Sequence, residues 1–153
     1  MGQRQSIILG VLGLIPIILL VIACFIVPPD QALYDLLIFI FISYAAVISS
    51  FLGGIQWGLI TSSADRIYSI FLPLLITTIP CLIAWAALLT IENLTTSLIL
   101  IIVSFFISSL HDYYLYQQKL TPYWFLSVRI PLSIVVIILT FVLFFFNPQM
   151  MSL

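Results

Sequence analysis

Ser104, Ser108, His111 and Asp112 stand at offsets of zero, four, seven and eight in one apolar stretch, a spacing that lines side chains along one face of a helix. Polar residues at matching depth occur in two other stretches: Gln56, followed by Trp57, and Arg129, preceded by Trp124. An ionisable group within apolar chain is costly unless partnered, which makes it a candidate site by default. Asp112 and Arg129 are therefore expected to form an ion pair. Three kinds of chemistry suit such a group. Gln56, Trp57, His111, Asp112, Trp124 and Arg129 could bind a small amphipathic ligand or a lipid headgroup. His111 titrates near neutrality and, with Asp112, could carry a proton. The same residues could instead form a clasp that pins neighbouring helices, with Trp124 as its anchor. The parts needed for catalysis are missing: the chain has no nucleophile beside a base, no Gly-rich phosphate loop and no cluster with metal-ligand spacing. No catalytic residue, metal or cofactor is assigned.

The elements that must hold these residues follow from composition. The chain has 153 residues, 64% hydrophobic and 6% charged, against about 25% charged in globular domains. Such a chain cannot cover a water-soluble surface. That excludes a Rossmann unit, a zinc finger, a nucleic-acid module and any large catalytic domain outside the membrane; the expected surroundings are a lipid bilayer, without nucleic acid. Five apolar stretches, approximately 6–27, 35–60, 67–90, 95–116 and 123–146, are set off by polar punctuation. Each has roughly the 20 residues a spanning helix needs. Runs such as 7–9 and 98–103 do not alternate apolar with polar, so helices are expected rather than barrel strands. Pro28–Pro29–Asp30, the segment 61–66, Glu92–Asn93, the segment 117–122 and Asn147–Pro148 supply the stops. Short connections favour antiparallel neighbours, which predicts an all-α, five-helix up-and-down bundle forming one integral membrane domain over 1–153.

Charge sets the expected orientation. An odd number of spans puts Arg4, Arg66 and Lys119 on one side, with Arg129 near that end, while Asp30, Asp35 and Glu92 fall on the other. The positive-inside rule then places the N-terminus in the cytoplasm and the C-terminus outside. Tyr113, Tyr114, Tyr116, Tyr123 and Trp124 cluster at the same cytoplasmic boundary. The stretch ending at Cys24 has the look of a lipoprotein signal, but Phe25–Ile26–Val27 keep it apolar beyond the cysteine, as a full span requires. Met1–Gly2 through Ser6 fits a myristoylation pattern, where an anchor would be redundant. The Asn93 sequon lies almost in the interface, out of reach of a glycosylating enzyme. Cys24 and Cys81, with no histidine nearby, read as small packing residues.

Packing signals are concentrated in the second and third stretches. Ala46, Ser50, Gly54 and Gly58 recur at every fourth position, and Gly53 widens the stripe they form. Small residues let helix backbones approach closely, so the stripe is expected to seat the first helix at its Gly10 and Gly13. A second copy of the chain, or a lipid or ligand, are the other occupants considered. Pro73 and Pro80 lie seven residues apart and should bend the third helix, with Thr77, Thr78 and Cys81 re-satisfying the freed carbonyls. Trp85 suits an interface anchor.

Several of these residues also carry a resemblance: Leu12–Gly13–Leu14–Ile15–Pro16, Tyr44–Ala45–Ala46–Val47, the run 51–58 with its Gly53–Gly54 and Trp57–Gly58, Ala84–Trp85, Asp112, Pro122–Tyr123–Trp124–Phe125 and Arg129. Together they resemble a domain-of-unknown-function family of small multi-pass membrane proteins found in bacteria, the family that includes human transmembrane protein 69. The resemblance implies an inner-membrane location and no known activity, substrate or cofactor. The family pattern has His where this chain has Gln56, and Trp-Tyr where it has Trp124–Phe125. The first departure weakens any role that needs an ionisable group at that position. The expected function is a non-enzymatic binding or assembly partner for other membrane components, another membrane protein or a second copy, in a bacterial inner membrane. The alternative is a binder or transporter of a small amphipathic ligand or lipid at the cytoplasmic leaflet. A cavity lined by the polar residues would favour that alternative, and a packed ion pair would favour the partner reading.

Overall fold

Helix breaks fall where backbone groups lose their partners. The computed structural model describes residues 2–66 and 69–146. In chain order the helices are α1 (Gly2–Leu12), α2 (Ile15–Ile26), α3 (Ala32–Ser62), α4 (Phe71–Leu89), α5 (Leu94–Gln117) and α6 (Tyr123–Phe145), with a 3₁₀ turn Ala64–Arg66 after α3. No strand occurs among the described residues. Helices α1 and α2 together make one span, Gln3–Ile26, and with α3 to α6 there are, among the described residues, five helices long and apolar enough to cross a membrane. The protein is an all-α, five-span membrane bundle.

The first span departs from expectation, since the continuous helix over 6–27 is two helices. Pro16, in the first turn of α2, has no N–H to give the preceding turn, and the helix breaks at Gly13–Leu14. The hydroxyl of Tyr44 on α3 donates to the Gly13 carbonyl at 3.1 Å. The third span is also corrected. Ile67, its expected start, lies outside the described residues, and the helix begins at Phe71. Pro73 then falls in the first turn of α4, where the missing N–H costs no helical bond, and only Pro80 interrupts the helix. The hydroxyls of Thr77 and Thr78 bond Leu74 O and Leu75 O, not the Ile76 carbonyl that Pro80 leaves without its usual donor. A second internal proline, Pro131, sits in α6. The expected stop at Asn147–Pro148 lies outside the described residues.

The other ends follow ordinary capping chemistry. Asn93 accepts the Thr96 N–H at 3.1 Å and starts α5. At the far end of α5, Lys119 takes the left-handed region at φ 57. The N–H of Lys119 reaches Tyr116 O, and that of Leu120 reaches Leu115 O, which closes the helix as a Schellman turn. Pro122 then leads into α6.

Consecutive helices from α3 to α6 pack side by side, α3 also touches α5, and the first span lies against α3 and α6. Ile17, Val21, Phe41, Ile42, Ala45, Leu98, Ile101 and Phe105 form the centre of the core. Much of the outer surface is apolar, from Leu19 on α2 to Phe141 on α6, as lipid contact requires. Among the glycines described, Gly53 meets another helix's backbone, where an added Cβ would stand 2.8 Å from Thr77 O on α4. The stripe itself does not seat the first helix. Nothing lies within 4 Å of a Cβ added at Gly54 or Gly58, Ser50 is exposed, and Ala46 is half-buried. Gly10 packs instead on Leu132 and Val128 of α6.

Candidate functional site

The polar stripe of α5 is wholly internal: Ser104, Ser108, His111 and Asp112 are all buried. Helix α3, packed on α5, presents Ser49, Gly53 and Gln56 from its inner face, all buried. From α6 comes Arg129, two turns in from Tyr123. These residues tie the bundle together at two levels. At mid-depth Ser104 Oγ donates to Pro80 O at 2.8 Å and takes a bond from Ser49 Oγ at 2.7 Å, linking α4, α5 and α3. Toward the end of the bundle that carries Arg4, Arg66 and Lys119, referred to below as the basic end, the charged cluster begins.

Gln56 is its hub, with 0% exposure. Its Nε2 donates to Asp112 Oδ1 at 2.8 Å and to Ser108 O at 3.0 Å, with Ser108 Oγ at 3.3 Å. Turning the amide over would press its oxygen against a carboxylate and a carbonyl, so the orientation is fixed by its neighbours. Gln56 Oε1 then faces His111 Nδ1 at 3.1 Å and can only accept. That assigns the proton of a neutral His111 to Nδ1 and leaves a lone pair on Nε2. Arg129 Nη2 donates to Asp112 Oδ2 at 2.8 Å, the ion pair expected from sequence. Its guanidinium carbon lies 5.7 Å from the ring centre of Phe125, one turn back on α6, within cation–π range. Both carboxylate oxygens of Asp112 are thus used, one from α3 and one from α6. Among the described residues three buried side-chain polar atoms have no hydrogen-bond partner: His111 Nε2, Arg129 Nε and Thr121 Oγ1.

Of the six candidate binding residues, the structure brings Gln56, His111, Asp112 and Arg129 together and leaves the two tryptophans outside. Trp57 is 46% exposed on the outer side of α3. Trp124 is half-buried, its ring edge-on to Phe125 at 6.1 Å. Ser49 and Thr121 are not singled out by the sequence, and Tyr44 and Phe125 enter it only as carriers of the family resemblance. Ser49 could have been found, because it lies seven residues before Gln56 and so shares its face. Thr121 and Tyr44 had no such signal, since their partners or neighbours come from other elements. A hollow of about 320 Å³ opens at the opposite end of the bundle, lined by residues that include Cys24, Tyr34, Leu143 and Phe146, and it touches none of the cluster. Among the described residues no group of three or more His, Cys, Asp or Glu could hold a metal ion.

Chemically the cluster is a charge-neutral, buried junction of three helices. Asp112 and Arg129 cancel, Gln56 is neutral, and every hydrogen bond among them links one helix to another. Gln56, Asp112, His111 and Arg129 are no more than 6% exposed, so the group is closely packed. Comparison with known proteins agrees with this membrane architecture. A family described as a protein of unknown function, DUF3429, matches residues 2–145. Transmembrane protein 69 of Xenopus tropicalis is 31% identical over 136 residues, which is 89% of this chain and 52% of that protein. The Mus musculus protein of the same name is 28% identical over 142 residues, 90% of this chain and 54% of its own length. The chain thus spans about half the length of the curated relatives it matches. No solved structure matches it.

Proposed function

Because this chain belongs to the DUF3429 family, whose function is unknown, we propose a role that rests on the bundle's own surfaces: a non-enzymatic binding or assembly partner for other components of the membrane. The single observation that carries this reading is the open outer face of α3. Ser50, Gly54 and Gly58 lie one turn apart with none of the described residues against the glycines, beside the exposed Phe51, Val47 and Trp57. Lipid contact alone does not call for small residues, whereas another helix does, since close backbone approach supplies the packing energy between spans. The occupant is a transmembrane helix of a partner protein. In this reading the polar cluster is a structural clasp that keeps α3, α5 and α6 rigid beneath that face.

The location proposed is a bacterial inner membrane, and within it the N-terminus is cytoplasmic, an orientation supported by Arg4, Arg66 and Lys119 all falling on one side. Co-purification from native membranes tests the function. Gly54→Leu with Gly58→Leu adds bulk where there is open space, so the fold should persist while the co-purifying membrane proteins are lost. An unchanged set of partners from a normally folded double variant would refute the docking face.

A further inference from the structure

We infer that His111 makes the clasp acid-sensitive: proton uptake at Nε2 opens the junction of α3, α5 and α6 at the basic end of the bundle. This rests on the clasp reading of the polar cluster and is independent of the outer face of α3.

Three observations lead there. Gln56 fixes the neutral ring with its proton on Nδ1, because Gln56 Nε2 is committed to Asp112 and Ser108. Any further proton must therefore go to Nε2. That atom is buried and has no partner, so the new N–H would be a donor with no acceptor, on a charged ring. Burial opposes it as well. On its own helix the groups next to His111 are Asp112, adjacent in the chain, whose two oxygens already accept from Gln56 and Arg129, and Tyr114, whose ring stacks on the imidazole at 5.9 Å. From α6 the only ionisable group in the cluster is the Arg129 cation, and α3 contributes the neutral Gln56. The closed junction sums to zero with a neutral ring and to one positive charge with a protonated one, and a net charge buried within a span is disfavoured.

The place for opening is equally defined. The three buried polar atoms without partners, His111 Nε2, Arg129 Nε and Thr121 Oγ1, lie in the last two turns of α5, the first two of α6 and the connection between them. This end of the bundle is where separation exposes polar groups to water at least loss. An open junction hydrates Nε2, so acid favours it by linkage. Closure is complete while the ring is neutral and weakens as pH falls, by up to about tenfold per pH unit once the ring takes up its proton.

His111 is the only histidine of the chain, so its ring can be followed without assignment. In the full-length protein in lipid nanodiscs, ¹⁵N-histidine spectra should give the Nδ1–H neutral form at pH 7.5. On acidification, ring protonation should coincide with faster amide exchange over residues 108–116 and with a falling melting temperature. His111→Gln cannot titrate and should keep its melting temperature level over the same range. Ring protonation with no change in exchange would overturn the inference, and so would a parallel acid loss of stability in wild type and His111→Gln. If the variant does not fold, the wild-type spectra and exchange decide alone. Failure of this test with intact partner capture would remove the acid response and leave the docking face untouched. Loss of capture specificity in the Gly54→Leu, Gly58→Leu experiment bears on the face only.

Discussion

Asp112 shows how one side chain can hold three helices. Its Oδ1 accepts from α3 through Gln56 and its Oδ2 from α6 through Arg129, both at 2.8 Å. Removing one member of such a pair costs more than removing both, because the survivor is left as a buried, uncompensated group. Asp112→Asn should therefore destabilise the bundle by about 3–5 kcal/mol. The double variant Asp112→Asn, Arg129→Gln should lose less than the sum of the two single changes. Thermal melting of the four proteins in detergent measures the coupling, and additive losses would show that the pair does not act as a unit.

At the scale of the element, α3 carries two small-residue faces, and the structure uses them differently. Ser49 and Gly53 turn inward with Gln56, and Gly53 brings the α3 backbone against Thr77 O of α4. Gly54 and Gly58 turn outward with nothing against them. Substitution should separate the two. Gly53→Ala meets backbone that cannot yield and should lower stability by about 1–3 kcal/mol. Gly54→Ala meets open space and should be neutral or raise stability by about 0.5–1 kcal/mol, as alanine does in helix interiors. Melting of the isolated protein distinguishes them, and equal losses at both positions would mean that the outer face is not open. The two faces were distinguishable in the sequence. Gln56 must point inward because an amide cannot be left in hydrocarbon. Gly54 and Gly58 lie two positions from it, about 200° around the helix. Reading the small residues by their spacing alone sent the stripe to the wrong side.

For the whole molecule, an odd number of spans has one consequence that can be measured directly. The two ends of the chain should lie on opposite faces of the membrane, with the N-terminus on the cytoplasmic side, where Arg4, Arg66 and Lys119 gather. Paired reporters of opposite compartment preference, fused at either end, should report cytoplasm at the N-terminus and the far side at the C-terminus. Reporters active on one and the same face would contradict the topology. Together with the basic end, this topology would put the Gln56–Asp112–Arg129 clasp near the cytoplasmic leaflet, where His111 would meet cytoplasmic rather than external pH.

The sequence by itself determined that this is a membrane bundle of five spans, that the α5 stripe from Ser104 to Asp112 lies inside, and that Asp112 pairs with Arg129. Each of these is a statement about solvent: hydrocarbon tolerates neither unpaired backbone nor unpaired charge, so apolar length and the few polar positions suffice. Tertiary structure alone decided the break of the first span against Tyr44, the packing of Gly10 on α6, the bridging of His111 and Asp112 by Gln56, and the exclusion of Trp57 from the cluster. These depend on how each helix is rotated about its axis and which neighbour it meets. Lipid is as apolar as the side chains it touches, so hydropathy carries no information on that choice.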